Sequence, residues 1–228
     1  MIQKNSLIFI LFMFVFVSFS FSEDLKGKTV ITGDLMQIRK SGEKTIVKGN
    51  AKIVRGSNTV TSDKMTYYKN NSNVDAEGNV NFSVHDEDGN FLKAVSQEAV
   101  YNTDNLSGQL WGGRPVIEYN LKDSTDTVYL FADKIYVHND FESADAEGNV
   151  EIISSSGTII SDNALLDKKS SSLFMHKDVK KPQVNAYRND KEAEFKADEI
   201  SLFYNNKTVK MNKNVEGKIT MDSLEVKE

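Results

Sequence analysis

Apolar and polar residues alternate with a period of two along most of this chain, as in "DKMTYY", "VNFSV" and "DKIYVH". That spacing lays one set of side chains on a single face of a β-strand. The runs are short, rich in Val, Ile, Thr, Tyr and Phe, and separated by turn clusters such as "KNNSN", "HDEDGN", "NTDNLSG", "SSSG" and "YNNKT"; proline occurs only at Pro115 and Pro182. The pattern predicts an all-β chain.

The runs also repeat. The hexapeptide "DAEGNV" begins at Asp75 and again at Asp145, and Gly49, Gly78, Gly113, Gly148 and Gly217 each open a strand in similar surroundings. Between the glycines lies a second landmark, a polar residue followed two and four places later by apolar ones. It recurs at Asp34, Asp63, Gln97, Asp133, Asp162 and Asp198, at intervals of 29, 34, 36, 29 and 36 residues. One unit is a strand opened by Gly, a second strand bent near the Asp, a polar hairpin and a return strand. No unit buries its apolar face alone, so the units stack in register. The landmarks read as turn chemistry and not as sites, because Asp caps bends and Gly-Asn favours positive φ. In "DKEAEFKADEISLFY", Ala193, Ala197, Ile200 and Phe203 also fit a helical template. The repeat position assigns that stretch to strands.

The first residues form a different kind of segment. Lys4 precedes an unbroken apolar and small-residue run from Leu7 to Ser22. As a helix, Leu7 to Phe21 would span about 22 Å, short of the roughly 30 Å of a bilayer's hydrocarbon core. With Ser20 and Ser22 at the small-residue positions, the run reads as a cleavable secretory signal, residues 1–22, with the mature chain starting at Glu23. The remaining organisation is a β domain over 23–221 and a tail, 222–228, that fits no repeat. The mature chain carries 27 basic and 33 acidic residues, a formal −6. That balance suggests no nucleic-acid partner. The chain has no cysteine, so an exported domain must rest on core burial and backbone ladders.

Catalytic chemistry finds little support. His85, His138 and His176 are far apart and lack metal-ligand spacing. "HDEDGN" lacks the later ligands of a calcium loop and reads as a hairpin turn. No Gly-x-Ser-x-Gly elbow, phosphate loop or cysteine nucleophile is present. The expectation is a protein without enzymatic activity, metal or cofactor.

Glycine-opened strands, a bend at Ser/Ala-Asp, an apolar pair after it and a return ending in Ala-x-Gly-Asn-Val together resemble the OstA-like family. The stretches that carry the resemblance are "VTSDKMTYYKNNSNVDAEGNVNF" (Val60 to Phe82) and "LFADKIYVHNDFESADAEGNVEI" (Leu130 to Ile152), with weaker copies over Thr29 to Met221. Members include the periplasmic bridge protein of lipopolysaccharide transport and the amino-terminal domain of its outer-membrane partner. The resemblance implies a V-shaped, open β-jelly roll of stacked antiparallel repeats of 29–36 residues whose apolar groove accepts lipopolysaccharide acyl chains. It also implies a periplasmic location and head-to-tail joining, both to further copies and to the homologous domains of the inner-membrane component and the outer-membrane translocon. Free strands around Thr29 to Ile31 and Lys218 to Met221 would serve as the joining edges.

The groove lining then follows from the alternation. Met36, Ile38, Met65, Tyr67, Ala99, Tyr101, Ile135, Val137, Leu166, Ile200 and Leu202 come from the Asp landmarks, and Ile53, Val80, Phe82, Ile117, Val150 and Ile152 from the Gly-opened strands. Each of these, taken singly, looks the same as an ordinary core residue. The basic cluster Lys177, Lys180 and Lys181 reads as a solvated loop, with lipid phosphates at the groove mouth as its functional alternative. Two points depart from the family pattern: Lys177 stands where a landmark Gly would, and "LWGGRPV" brings Trp111 and a Pro to a strand start. Two other readings compete with the carrier: a secreted structural or adhesive β-solenoid without cargo, and an inner-membrane-anchored relative that retains Leu7 to Phe21.

Overall fold

The computed structural model describes residues 30–221, apart from 56–57, 86–90, 106, 121–126, 139–142, 168, 171, 189–190 and 204–207. The expected signal, the tail and most of the "HDEDGN" turn lie outside the described residues. The chain forms strands β1 (Val30–Thr32), β2 (Leu35–Arg39), β3 (Lys44–Arg55), β4 (Asn58–Tyr68), β5 (Asn73–His85), β6 (Phe91–Asn102), β7 (Ser107–Trp111), β8 (Val116–Asn120) and β9 (Thr127–Phe131). It continues with β10 (Lys134–His138), β11 (Ser143–Ser154), β12 (Gly157–Asp167), β13 (Ser172–His176), β14 (Gln183–Arg188), β15 (Lys191–Lys196), β16 (Glu199–Phe203), β17 (Thr208–Asn212) and β18 (Glu216–Met221). A 3-10 turn at Lys40–Gly42 is the one helical element among the described residues. The stretch that also fitted a helix is the strand pair β15 and β16.

All pairing is antiparallel, and it sorts into two ladders. Arm A runs β1, β3, β4, β5, β6, β8, β9, β11, β12, β14, β15, β18. Arm B runs β2, β3, β4, β5, β6, β7, β10, β11, β12, β13, β16, β17. Six strands, β3 to β6 with β11 and β12, are 11 to 13 residues long and serve both arms. The sheet is therefore folded over along a crease, giving the all-β jelly roll that the resemblance implies.

The crease is where the landmarks lie. Register shifts fall at Lys48/Ala51, Thr61/Lys64, Glu77/Val80 and Glu147/Val150, which marks bulges at the three Gly-Asn pairs Gly49-Asn50, Gly78-Asn79 and Gly148-Asn149. Gly78 and Asn79 take φ of 73° and 48°, and Gly148 and Asn149 take 74° and 48°. Gly is needed at such a position both for the left-handed backbone and for space, since a Cβ on Gly78 would overlap the Asp63 carboxylate. These glycines lie inside long strands and do not open them, because pairing continues on both sides. In the last copy the bend is at Lys213 and Asn214, φ 60° and 49°, so Gly217 is not its equivalent.

The landmark Asp does more than cap its own turn. Asn50, Asn79, Asn149 and Asn214 donate their side-chain amides to Asp34, Asp63, Asp133 and Asp198 at 3.0, 3.0, 2.9 and 2.7 Å, each pair 16 residues apart. Where Asn is missing, Asp162 accepts the backbone N–H groups of Val179 and Lys180 at 2.9 and 2.7 Å. At both departures from the pattern the crease interrupts the strand, between β7 and β8 and between β13 and β14. Pro115 and Pro182 occupy equivalent places there, their carbonyls accepting from Ala132 and Ala197 at 3.3 Å. The residue before each landmark is small: Gly33, Ser62, Ser96, Ala132, Ser161 or Ala197. All five beyond Gly33 are buried, so the fold of the sheet leaves room for little more than a methyl or hydroxyl.

Candidate functional site

Cross-strand register turns the alternation into continuous apolar rows along the inside of each arm. In arm A one row reads Ile31, Ile53, Val60, Phe82, Ala94, Ile117, Leu130, Ile152, Ile159, Val184, Phe195, Gly217. In arm B a row beside the crease reads Met36, Val47, Met65, Ala76, Ala99, Leu110, Ile135, Ala146, Ala164 and continues through Met175, Ile200 and Met211. The next row out runs from Ile38 and Tyr67 through Tyr101, Val137, Leu166, Leu173 and Leu202 to Val209. Because each side chain stands nearly perpendicular to its strand, the rows of the two arms face each other. Most of their residues form one hydrophobic cluster, which does not include Met36, Ile38, Tyr67, Tyr101 or Phe195.

All seventeen residues picked from the sequence lie on these inner registers or on the adjoining crease positions of arm A, but they are not equally enclosed. Met65, Val80, Ala99, Ile135, Val137, Val150, Ile152, Leu166, Ile200 and Leu202 are buried. Ile53, Tyr67, Phe82, Tyr101 and Ile117 are half-buried. Met36 and Ile38, on the first strand of arm B, are 44% and 67% exposed. Phe82 of arm A and Tyr101 of arm B meet edge to face across the interior, with ring centroids 6.4 Å apart, a favourable aromatic geometry. Enclosure is most extensive from β9 to β16, where Ile135, Ile152, Ile159, Leu173, Met175 and Ile200 are fully buried and Phe195 is half-buried; in the first half full burial is reached beside the crease, at Val47, Met65 and Val80.

Sequence reasoning missed Ile31, Val47, Val60, Leu130, Ile159, Leu173, Met175, Val184, Val209 and Met211. Val47, Val60 and Ile159 lie on landmark strands but on the near side of the landmark, and the others sit on strands without one; period two extended through "SLFMH" or "QVNAYR" would have found several of them. The edges were half seen. β1 and β18 are the outer strands of arm A, where Thr29 to Ile31 and Lys218 to Met221 were expected, while β2 and β17, the outer strands of arm B, were not anticipated.

Among the described side chains, charge lies on the outer face, the crease and the turns. Lys177 to Lys181 lie at the crease between β13 and β14 and not at a groove mouth, and Lys181 donates to Glu216 at 2.6 Å and to the Asn214 carbonyl at 3.1 Å. That hydrogen bond holds the Glu216 carboxyl below its ordinary value. The Lys213 and Lys196 ammonium groups are raised in turn by their hydrogen bonds to Glu199 and Glu194. His138 pairs with Asp145 at 2.8 Å, and His176 stacks on Phe174 with centroids 5.8 Å apart. No group of His, Asp and Glu able to hold a metal occurs among the described residues. The chemistry on offer is an apolar, strand-walled interior that is part open and part closed.

Residues 30–128 match the family model described as LptA/(LptD N-terminal domain) LPS transport protein. No curated protein matches the chain. Among solved structures, LptH of Pseudomonas aeruginosa, the LptA-homologous periplasmic component of the conserved lipopolysaccharide transport device, aligns over 89% of this chain and 100% of its own, at 8% identity and a TM-score of 0.29.

Proposed function

We propose, on the match of residues 30–128 to that family model, that this chain is a periplasmic, non-enzymatic carrier that holds lipopolysaccharide acyl chains between its two arms. The observation that carries this reading is the graded enclosure of the inner rows. Acyl chains need apolar surface that protein has not already covered, and Ile53, Val60, Tyr67, Phe82, Tyr101 and Ile117 offer it in the half that includes the family match. Burial contributes roughly 0.8 kcal/mol per methylene. Full enclosure of several chains would make release too slow for a relay, and half-buried walls limit that affinity. A cargo-free solenoid would enclose these positions as fully as Leu130, Ile152, Ile159 and Val184 are enclosed in the same arm A row.

The cargo passes onward by end-to-end strand pairing. Each arm has twelve segments of alternating direction, so the last strand of one copy meets the first strand of the next antiparallel in both arms at once. The inner rows also continue across the junction, Val209 leading to Ile38 of the following copy, Met211 to Met36 and Gly217 to Ile31. The same edges fit homologous domains in the inner-membrane component and the outer-membrane translocon. Determining the amino terminus of the exported protein separates a cleaved carrier, beginning near Glu23, from an anchored relative.

The test of cargo binding is in-cell photocrosslinking with a reactive side chain placed singly at Val60, which points inward, and at Thr61, its outward neighbour. Lipopolysaccharide should be captured at Val60 and absent at Thr61. Equal capture at both positions, or none at either in cells where the protein is folded and abundant, overturns the groove.

A further inference from the structure

The outer face at the amino-terminal end differs from the rest of the surface. Its strands carry Arg39, Lys44, Lys48 and Lys52 on that face, in a stretch, residues 30–55, whose formal charge is +4 in a chain of formal charge −5. Lys44, Lys48 and Lys52 alternate onto the outside of β3 at every fourth residue, about 13 Å apart along the strand. Their cross-strand neighbours make matters worse electrostatically: Arg39 lies directly opposite Lys44, and Lys48 directly opposite Lys64. Like charges so placed are destabilising.

Partners that would relieve this are scarce. Lys64 reaches Glu77 at 2.6 Å and Lys44 lies over the Tyr68 ring at 4.8 Å. Lys48 and Lys52 are exposed and reach no carboxylate among the described residues. At the other end of the molecule Lys181, Lys196 and Lys213 are each tied to a glutamate. Two apolar side chains share the basic outer face, Leu35 directly opposite Lys48 and 47% exposed, and Val30 on the neighbouring edge strand, 50% exposed. Unpaired lysines around exposed aliphatic side chains match the two halves of a bilayer surface, anionic headgroups and the acyl boundary beneath them.

We propose that the outer face of β1 to β3 docks on an anionic lipid bilayer, placing the amino-terminal edge of the carrier at a membrane surface. Lys48 and Lys52 meet headgroup phosphates, and Leu35 enters the interface. The surface is separate from the groove, which lies on the opposite face of the same strands, so docking leaves the inner rows free.

The test is flotation of the exported protein with phosphatidylcholine vesicles, alone or with about a third phosphatidylglycerol. Any retained Leu7 to Phe21 run partitions into both kinds, so the difference between them reports charge. The protein should prefer the anionic vesicles. Each lysine near such a surface contributes roughly fivefold, so Lys48→Gln with Lys52→Gln should weaken that binding about thirtyfold. Lys210→Gln with Lys218→Gln, at the far end, should change it less than about twofold on the same reasoning. Circular dichroism of each variant confirms that the strands are retained. Equal binding to neutral and anionic vesicles overturns the proposal, as does full anionic binding by the Lys48/Lys52 variant. If those substitutions instead alter only association between copies, the stripe is a protein contact and the membrane assignment is wrong.

Discussion

Ile53 and Ile152 are the same residue type in the same inner row of arm A, six strands apart. Ile152 is fully buried and Ile53 is half-buried. Local sequence does not explain this, since both follow a crease by the same short step. The difference lies opposite them. In the part of arm B that spans β10 to β16, Ile135, Leu173 and Ile200 are fully buried, whereas on the first strand of arm B Met36 and Ile38 are themselves exposed. One repeat therefore serves two purposes: packed against its own kind it is a core, and left short of neighbours it is a binding wall.

The largest effect should come from emptying the closed half. Ile152→Ala is expected to cost about 4 kcal/mol and Ile53→Ala about half of that, because a half-buried site loses less transfer energy and leaves no sealed cavity. Urea denaturation of both variants measures it, and equal costs would erase the distinction between the two regions.

Next come substitutions at the crease, which both halves share. Gly148→Ala should cost about 2 kcal/mol, since φ is 74° there and the new methyl would strike the Asp133 carboxylate. Asp133→Ala, which removes the acceptor of Asn149, should cost about 1 kcal/mol. The double variant should be less damaging than the sum, because Asp133→Ala removes the clash.

The exposed ends can be examined with almost no change in stability. The chain contains no cysteine, so Ile38→Cys with Val209→Cys gives a clean background. Pairing in the continued register brings these positions to within about 5.5 Å between Cα atoms, which suits a disulfide. Mild oxidation should yield a ladder of linked copies on a non-reducing gel, while Arg39→Cys with Val209→Cys, one residue out of register, should yield little.

Acid should produce the smallest effect. The folded-state value of Glu216 is depressed by Lys181, so its contribution is present above the ordinary carboxylate value and is lost as pH falls through the lowered one. Glu216→Gln should melt slightly below the parent protein at neutral pH and level with it in strong acid. A gap that persists in acid would mean that the pair acts through packing and not charge.

Much of the architecture was legible beforehand because it depends on neighbours along the chain. Period-two alternation gave the inner registers of all seventeen candidate positions, and the Asp landmark gave the bend, whereas the glycines, read as strand openings, lie at the crease inside long strands. The rest was not local. That Asn79 belongs to Asp63 and Asn149 to Asp133, 16 residues away, depends on which strand follows which in the ladder, so the landmark looked like an ordinary turn cap. The edges β2 and β17 escaped notice because a chain that crosses between arms has four ends, and a linear repeat suggests two. Reading Gly217 as a landmark failed for a related reason, since the bend needs a backbone at positive φ, which Lys213 and Asn214 supply.

By itself, then, the sequence determined that this chain is a stack of strands, which side chains share a face and where each strand bends, since those properties follow from backbone geometry over a few residues. Only the tertiary structure decided which of those faces are shut and which stay open to a guest, because burial is set by side chains that arrive from the opposite arm, many strands away.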